Sequence, residues 1–178
     1  MAMEKQTRDF DAQPELDERI VDITRVAKVV KGGRHLHFRV VAVVGDNKGQ
    51  VGLGIGKARN VPDAIAKATD RARRDMRPVA LDNTTITHEI TGTCGGSIVF
   101  LRPAAPGTGV IAAGAVRAIL EAAGVRDVLT KSQGSPTKIN VAQATMKALR
   151  SLRSAEEVAQ SRSVAVENTL PFWRRRKA

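Results

Sequence analysis

The first hydrophobic pattern along the chain alternates β-branched and charged residues from about residue 15. The apolar members are Ile20, Val21, Ile23, Val26, Val29 and Val30, and the charged ones between and after them are Asp22, Arg25, Lys28 and Lys31. A Gly-Gly turn, a run from Leu36 to Val44, a second turn at residues 45–49 and a glycine-rich run from Val51 to Ile55 follow. Alternating runs joined by short glycine turns predict three consecutive antiparallel strands.

The pattern then changes to helical spacing. Asn60 is a candidate N-cap, Pro62 fits the first turn, and Asp63 suits the positive end of a helix that we expect to reach about Arg77. The apolar stripe comprises Ala64, Ile65, Ala68, Ala72 and Met76. A second face carries Lys67, Arg71, Arg74 and Arg77, which predicts a positive stripe about 15 Å long.

The second half shows shorter elements. Strands are expected at Thr84–Ile90 and Ser97–Leu101, separated by residues 92–96, with a Gly-rich turn at Pro106–Gly109. A helix from about Ala112 to Ala123, a strand from Val125 to Thr130 and a helix from Asn140 to Arg153 follow, with a short helix possible at Ala155–Gln160.

These elements predict an α+β protein, with an N-terminal β-β-β-α unit followed by a C-terminal β-β-α-β-α domain. We expect residues 1–14 to form a flexible acidic arm, residues 15–78 the first domain and residues 79–160 the second. Residues 161–178 are expected to be a basic tail. Its Trp173 and the four cations after it suit either RNA stacking and pairing or a disordered terminus.

Composition narrows the class of protein. The 178 residues include one cysteine, Cys94, which excludes an internal disulfide, and 42% hydrophobic residues, which are enough for a folded core. Aromatic residues make up only 3%, so RNA recognition by rows of stacked bases is not expected. We expect no signal peptide, no membrane segment and a cytoplasmic location.

The net charge of +11 is unevenly distributed. Residues 1–22 carry three basic and seven acidic residues, whereas residues 23–82 carry thirteen and five, a net charge of +8. A basic patch on a folded domain indicates a polyanionic partner, most often nucleic acid, although a solvated charged surface is the alternative. The predicted hairpin tip Lys31-Gly32-Gly33-Arg34 places cations around bare glycines that can enter a groove.

Candidate enzymatic and metal sites fail on spacing. The glycines before Lys57 lack a P-loop, because Val51 stands at the first glycine position and Ala58 where a hydroxyl would bind magnesium. Pro106–Gly109 before a helix resembles a phosphate loop, but no Ser or Thr directly follows, which leaves a structural turn or an RNA-phosphate contact. His35 and His37 share a strand face without a third metal ligand nearby, which favours solvated or RNA-facing histidines. We therefore expect no cofactor, no metal and no small-molecule substrate.

An ordered series of motifs resembles the small-subunit ribosomal protein five family over about residues 15–160. The first half contributes Val29–Arg34, Phe38, Val43–Asp46, Gly49, Val51-Gly52, Gly54 and Gly56–Arg59. The second half contributes Gly107–Gly109, Gly114-Ala115, Arg117-Ala118, Glu121, Ala123–Val125, Val128-Leu129, Lys131, Gly134-Ser135, Asn140-Val141 and Ala144-Thr145.

The resemblance implies a first domain like a double-stranded-RNA-binding domain that lacks its first helix. It implies a second domain related to metabolite kinases of the galactokinase type, without their catalysis. It also implies binding to small-subunit rRNA, contacts with ribosomal proteins four and eight, and a position near the channel through which messenger RNA enters. The Lys31–Arg34 hairpin matches a segment near the spectinomycin site, and Arg117 matches a position near the contact with protein four that affects fidelity.

We therefore expect a non-enzymatic RNA-binding protein that recognises phosphates and shape. The expected RNA-binding residues are Arg25, Lys28, Lys31, Gly32, Gly33, Arg34, Lys57, Arg59, Arg71 and Arg74. The alternative is a free-standing regulator that binds double-stranded RNA away from ribosomes. An enzyme would instead have to bind ATP saturably.

Overall fold

The first half of the protein is a four-stranded antiparallel sheet with one helix on it. A computed structural model describes residues 16–166 and Trp173. The elements are β1 Asp17–Val30, β2 Gly33–Gly45, β3 Gln50–Ala58, α1 Val61–Arg74 and β4 Arg77–Pro78. The strands lie in the order β1-β2-β3-β4. The predicted β-β-β-α unit is confirmed, with the short β4 in addition.

The glycines of β3 set how closely α1 approaches the sheet. A Cβ atom added to Gly52, Gly54 or Gly56 would come closer than 3.0 Å to a backbone carbonyl oxygen of α1. The helix meets these glycines with Ala64, Ala68 and Ala72, which are all fully buried. Bare strand and small helix residues therefore bring the two backbones together, which is the close packing expected when glycine interrupts a strand.

The second half places two helices on one face of another four-stranded sheet. Its elements are β5 Leu81–Asp82, β6 Thr85–Ile86, β7 Ile90–Cys94, β8 Ser97–Pro103, β9 Val110–Ile111, α2 Gly114–Ala122, β10 Val128–Gly134, α3 Lys138–Arg150 and α4 Ala155–Arg162. The sheet order is β7-β8-β10-β9, and β5 pairs with β6 separately. The α+β class and the order β-β-α-β-α are confirmed, with three short strands and α4 added to that order.

Several predicted boundaries are wrong. The strand expected at Thr84–Ile90 is divided. Asn83, at a φ of 55°, turns β5 back onto β6, residues 87–89 belong to no strand, and β7 begins only at Ile90. The strand expected from Val125 begins at Val128 instead. Val125 donates its N–H to Leu120 at the end of α2, and the next two N–H groups go to Thr84. Val125, Arg126 and Asp127 mix apolar and charged side chains as a strand can, but their N–H groups form loop hydrogen bonds and cannot pair with a neighbouring strand.

Other elements shift by a few residues. Residues 92–94 belong to β7, so that only Gly95 and Gly96 turn between β7 and β8. The helix expected at Ala112 begins at Gly114, and the one expected at Asn140–Arg153 spans Lys138–Arg150. α4 continues to Arg162, two residues into the segment predicted as a tail. The predicted arm at residues 1–14 lies outside the described residues, as does that tail beyond residue 166 apart from Trp173.

One hydrophobic core crosses between the two halves. Val43 of β2 and Val51 of β3 are buried in the same cluster as Ile119 and Leu120 of α2. The turn between β2 and β3 also donates backbone hydrogen bonds to the end of α2, from Asn47 N to Ala122 O at 3.1 Å and from Gly49 N to Ala123 O at 3.0 Å. The first sheet is therefore packed on both faces near this end.

Candidate nucleic-acid interface

The β1–β2 hairpin extends beyond the rest of its sheet. β3 pairs with β2 only from Phe38 to Gly45, so the segment between Arg25 and His37 is a two-stranded arm. Lys31 and Gly32 form its tip, and Gly32 has a φ of 93°, which favours glycine. About six residues per strand at ~3.3 Å each give the arm a length of about 20 Å.

The strand register divides the cations of the arm between two faces. Arg25 lies opposite Phe38 and Val29 opposite Arg34, which places Arg25 and Arg34 on the face that α1 covers further along the sheet. Lys28 lies opposite His35, on the other face. The predicted hairpin residues therefore form a surface around the arm, with Lys31 at its end.

The face with Arg25 and Arg34 also exposes apolar side chains. Val29 is 73% exposed, Leu36 is 48% exposed and Ile23 is 46% exposed. Alternation along the strands puts all three on the same face as the two arginines. Large apolar groups beside cations on a protruding arm are typical of a surface that is covered in a complex.

The cations at the end of β3 lie at the base of the arm. Lys57 is exposed and lies opposite Arg39, on the sheet face away from α1. Arg59 is exposed in the short turn before α1. The Asn60 N-cap is confirmed by its extended backbone, although its side chain accepts no cap hydrogen bond.

The positive stripe predicted on α1 is shorter than expected. Arg71 and Arg74 are exposed on the helix, but Arg77 lies in β4 and pairs with Val51. The helix ends at Arg74 because the residue after it, Asp75, leaves helical geometry at the C-cap. Arg71 reaches back to the edge of β3, where one guanidinium nitrogen donates to the Ile55 carbonyl at 2.6 Å.

Arg117 lies on α2, in the second half of the protein, whereas the arm belongs to the first half. Its guanidinium donates to the Val110 carbonyl at 3.0 Å and lies 4.0 Å from the Glu121 carboxylate, one helical turn on. Glu121 also accepts a hydrogen bond from Arg19 of β1. The structure therefore separates Arg117 from the predicted RNA-binding residues and ties it to a network that joins the two halves.

The phosphate-loop-like turn already holds a carboxylate. One oxygen of Asp127 accepts backbone N–H groups from Gly107 at 2.9 Å and from Gly109 at 3.0 Å. The backbone bond from Gly109, followed by the hydrogen bond from Thr84, lowers the pKa of this buried side chain. These amides are therefore occupied by the protein's own anion, which supports a structural turn over a phosphate contact.

The glycines before Lys57 likewise have a structural role. The backbone of α1 fills the space beside Gly52, Gly54 and Gly56, so no phosphate can bind there. Within residues 16–166, no group of three His, Cys, Asp or Glu side chains is placed to hold a metal ion. None of the helices in this range has the length and apolar character needed to span a bilayer.

Sequence reasoning missed two features, the composition of one face of the first sheet and the ion pairs between the halves. Arg39 joins the two histidines and Lys28 on one face, and this follows from strand parity once the Lys31–Arg34 turn fixes the register. It also missed the ion pairs between the halves, such as Lys138 to Asp22 at 2.8 Å. No sequence signal locates those pairs, because their partners are between 75 and 116 residues apart in sequence.

Comparisons with known proteins cover both halves. A family model described as "Ribosomal protein S5, N-terminal domain" matches residues 16–80, and one described as "Ribosomal protein S5, C-terminal domain" matches residues 92–162. The chain is 52% identical over 161 residues to the "Small ribosomal subunit protein uS5" of Thermotoga petrophila, covering 90% of each chain. It is 52% identical over 157 residues to the Marinobacter nauticus protein of the same name, covering 88% of this chain and 95% of the relative. The Rubrobacter xylanophilus protein is 53% identical over 156 residues, covering 88% and 78%.

Proposed function

The chain belongs to the ribosomal protein S5 family, and on that premise we propose that it is a structural constituent of the small ribosomal subunit that binds rRNA. Members of the family are structural ribosomal proteins that bind rRNA, not enzymes. The observation that carries the proposal is the match of both family models to the two halves of one fold. In this role the protein acts in cytoplasmic ribosomes.

The arm supplies the principal RNA contact in this proposal. Lys31 and Arg34 neutralise phosphates at its tip, while Gly32 and Gly33 leave the tip narrow. Apart from the glycine and its chain neighbours, no described atom lies within 4 Å of the position of a Cβ on either glycine. Each phosphate neutralised by a cation releases counterions, which makes binding strong at low salt and weak at high salt. Arg25 and Lys28 extend this contact along the two faces.

The base of the arm supplies a second set of cations. Lys57 and Arg59 continue from the end of β3, and Arg71 and Arg74 follow on α1. All four side chains are exposed. An A-form RNA helix presents its phosphates and 2′-hydroxyls to such a surface, so recognition depends on shape and charge rather than on base sequence.

The protein partners and the site on the subunit belong to the same proposal. We infer contacts with ribosomal proteins four and eight, a position near the channel through which messenger RNA enters, and proximity of the arm to the spectinomycin site. Arg117 is proposed to lie near protein four and to influence translational accuracy. Its guanidinium is held by Val110 and Glu121, so a change there also disturbs the packing at the start of α2.

Incorporation into subunits tests the proposal. Lys31→Glu with Arg34→Glu places two negative charges at the exposed tip, and we expect a large loss of the protein from purified small subunits by quantitative proteomics. The matched control is Lys48→Glu with Arg126→Glu, which makes the same change in net charge at two other exposed positions away from the arm. Wild-type incorporation of the tip variant would contradict the proposed contact.

Sedimentation separates this function from the alternative. A small-subunit constituent sediments with that subunit on a sucrose gradient, whereas a free-standing regulator of double-stranded RNA remains near the top. Exclusive recovery at the top of the gradient would contradict the proposal.

A further inference from the structure

The arm has a second face on which nitrogen-bearing side chains line up. The members of this histidine face are Lys28, His35, His37, Arg39 and Lys57. Lys28 lies directly opposite His35, and Arg39 lies opposite Lys57. His35, His37 and Arg39 are alternate residues of β2, so that they follow one another at about 7 Å along one line. Apart from Lys28 and Lys57, none of these residues belongs to the RNA contact proposed above.

Arg39 contains a donor that the fold does not satisfy. Its Nε atom is buried and has no hydrogen-bond partner among the residues described. Its strand neighbours, Thr24 on β1 and Lys57 on β3, lie on the same face. A buried donor without an acceptor is unfavourable, because water is lost and nothing replaces it.

The charges around the two histidines are nearly all positive. Lys28 faces His35 from β1, Arg39 follows His37 on β2, and Lys57 and Arg59 come from the end of β3. The carboxylate on this face is Asp22, opposite Val41. It already accepts hydrogen bonds from Lys138 Nζ at 2.8 Å and Thr24 Oγ1 at 2.5 Å, which lower its pKa. Asp22 also interacts electrostatically with Arg39, so an incoming anion would meet positive charge mainly at Lys28, Lys57 and Arg59.

We propose that the histidine face is a second phosphate-binding surface of the arm, and that His35 and His37 are protonated when RNA occupies it. This inference rests on the proposed rRNA-binding function. A line of donors at this spacing follows the phosphates of a single RNA strand. The arm is then held by RNA on both sides: arginines and apolar groups on one face, and imidazolium groups, Lys28 and Arg39 on the other.

Proton uptake on binding gives this proposal a measurable signature. Histidine is the side chain whose charge changes between pH 5 and pH 8. Because the RNA complex favours the protonated imidazole, lowering the pH through this range must strengthen binding. Each additional cation on a phosphate also steepens the salt dependence of the affinity, by about 0.7–0.9 in the slope of log K against log salt concentration.

Fluorescence anisotropy with the full chain and a labelled double-stranded RNA of mixed sequence tests the inference. For the wild type we expect the salt slope to be steeper by about 1.5 near pH 5.5 than near pH 8. His35→Gln with His37→Gln is expected to remove that difference. Both positions lie on a solvent-accessible arm, and a circular dichroism melt verifies that the variant is folded.

The third histidine of the chain provides the control. His88 lies between β6 and β7, and burial lowers its pKa. His88→Gln is therefore expected to keep the wild-type response to pH. A wild-type response in the His35 and His37 double variant overturns the inference, as does wild-type binding that is independent of pH. Failure of the wild type to bind RNA near pH 8 is a different result, because it contradicts the proposed function itself.

Discussion

Replacing Gly54 with alanine tests the packing that positions the base of the arm. The new Cβ would overlap the carbonyl oxygen of Ala68 and approach the backbone nitrogen of Ala72. Both contacts are to backbone, so no side chain can rotate away, and α1 must retreat by roughly 1.5 Å to reach ordinary van der Waals separation. Overpacking of this kind costs about 1–3 kcal/mol in the free energy of unfolding.

A thermal melt measures this effect. Loss of glycine's freedom in the unfolded chain returns about 0.4–1 kcal/mol, so the net destabilisation is smaller than the packing cost alone. Because the overlap is with backbone atoms, we expect a packing cost in the upper part of that range, about 2–3 kcal/mol, and a net cost of about 1–2.6 kcal/mol. At about 2–4 °C per kcal/mol for a chain of this size, the expected fall in Tm is about 2–10 °C.

The matched control is the same substitution at Gly114, the first residue of α2. Apart from its chain neighbours and the backbone of its own helix, no described atom lies within 4 Å of a Cβ there, and alanine is the better helix former. Gly114→Ala should therefore leave Tm unchanged or raise it slightly. A Gly54→Ala protein as stable as the wild type would refute the packing argument.

Two further predictions concern carboxylates. Asp127→Ala leaves the amides of Gly107 and Gly109 without their acceptor and should lower the free energy of unfolding by about 1–3 kcal/mol at neutral pH. Because the pKa of Asp127 is depressed in the folded protein, denaturant titrations should show this loss of stability shrinking as the pH falls below about 4. A loss of stability that is independent of pH would contradict the role of the ionised carboxylate. For Asp22 and Lys138, a double-mutant cycle with Asp22→Asn and Lys138→Gln should give a coupling of about 0.5–1 kcal/mol that declines with added salt, and no coupling at low salt would contradict the ion pair.

The structure explains how one arm can have two different surfaces. Cross-strand pairs fix which side chains share a face, and the arm is free of β3 and α1 over most of its length. The face with Val29 and Leu36 combines apolar area with Arg25 and Arg34, whereas the opposite face carries His35 and Lys28. The first surface is expected to bind independently of pH, and the second is expected to respond to it.

The sequence was sufficient for features that depend on local chemistry. The three strands, the tip at Lys31-Gly32 and the Asn60 helix start are confirmed because alternation, turn glycines and capping preferences act over a few residues. The family resemblance is confirmed as well, because it rests on motifs in order along the chain. The RNA-binding residues stay predictions.

Tertiary structure decided what local pattern leaves open. The run from Val125 has strand-like composition, yet its first three N–H groups donate to the carbonyls of Leu120, in α2, and Thr84, about forty residues earlier in the chain. The turn at Gly107–Gly109 resembles a phosphate loop until the fold brings Asp127 onto its amides. The sequence by itself determined the order of the main elements and the amount of charge. Only the folded chain determined which amides and cations are already paired, because those partners come from residues far apart in sequence.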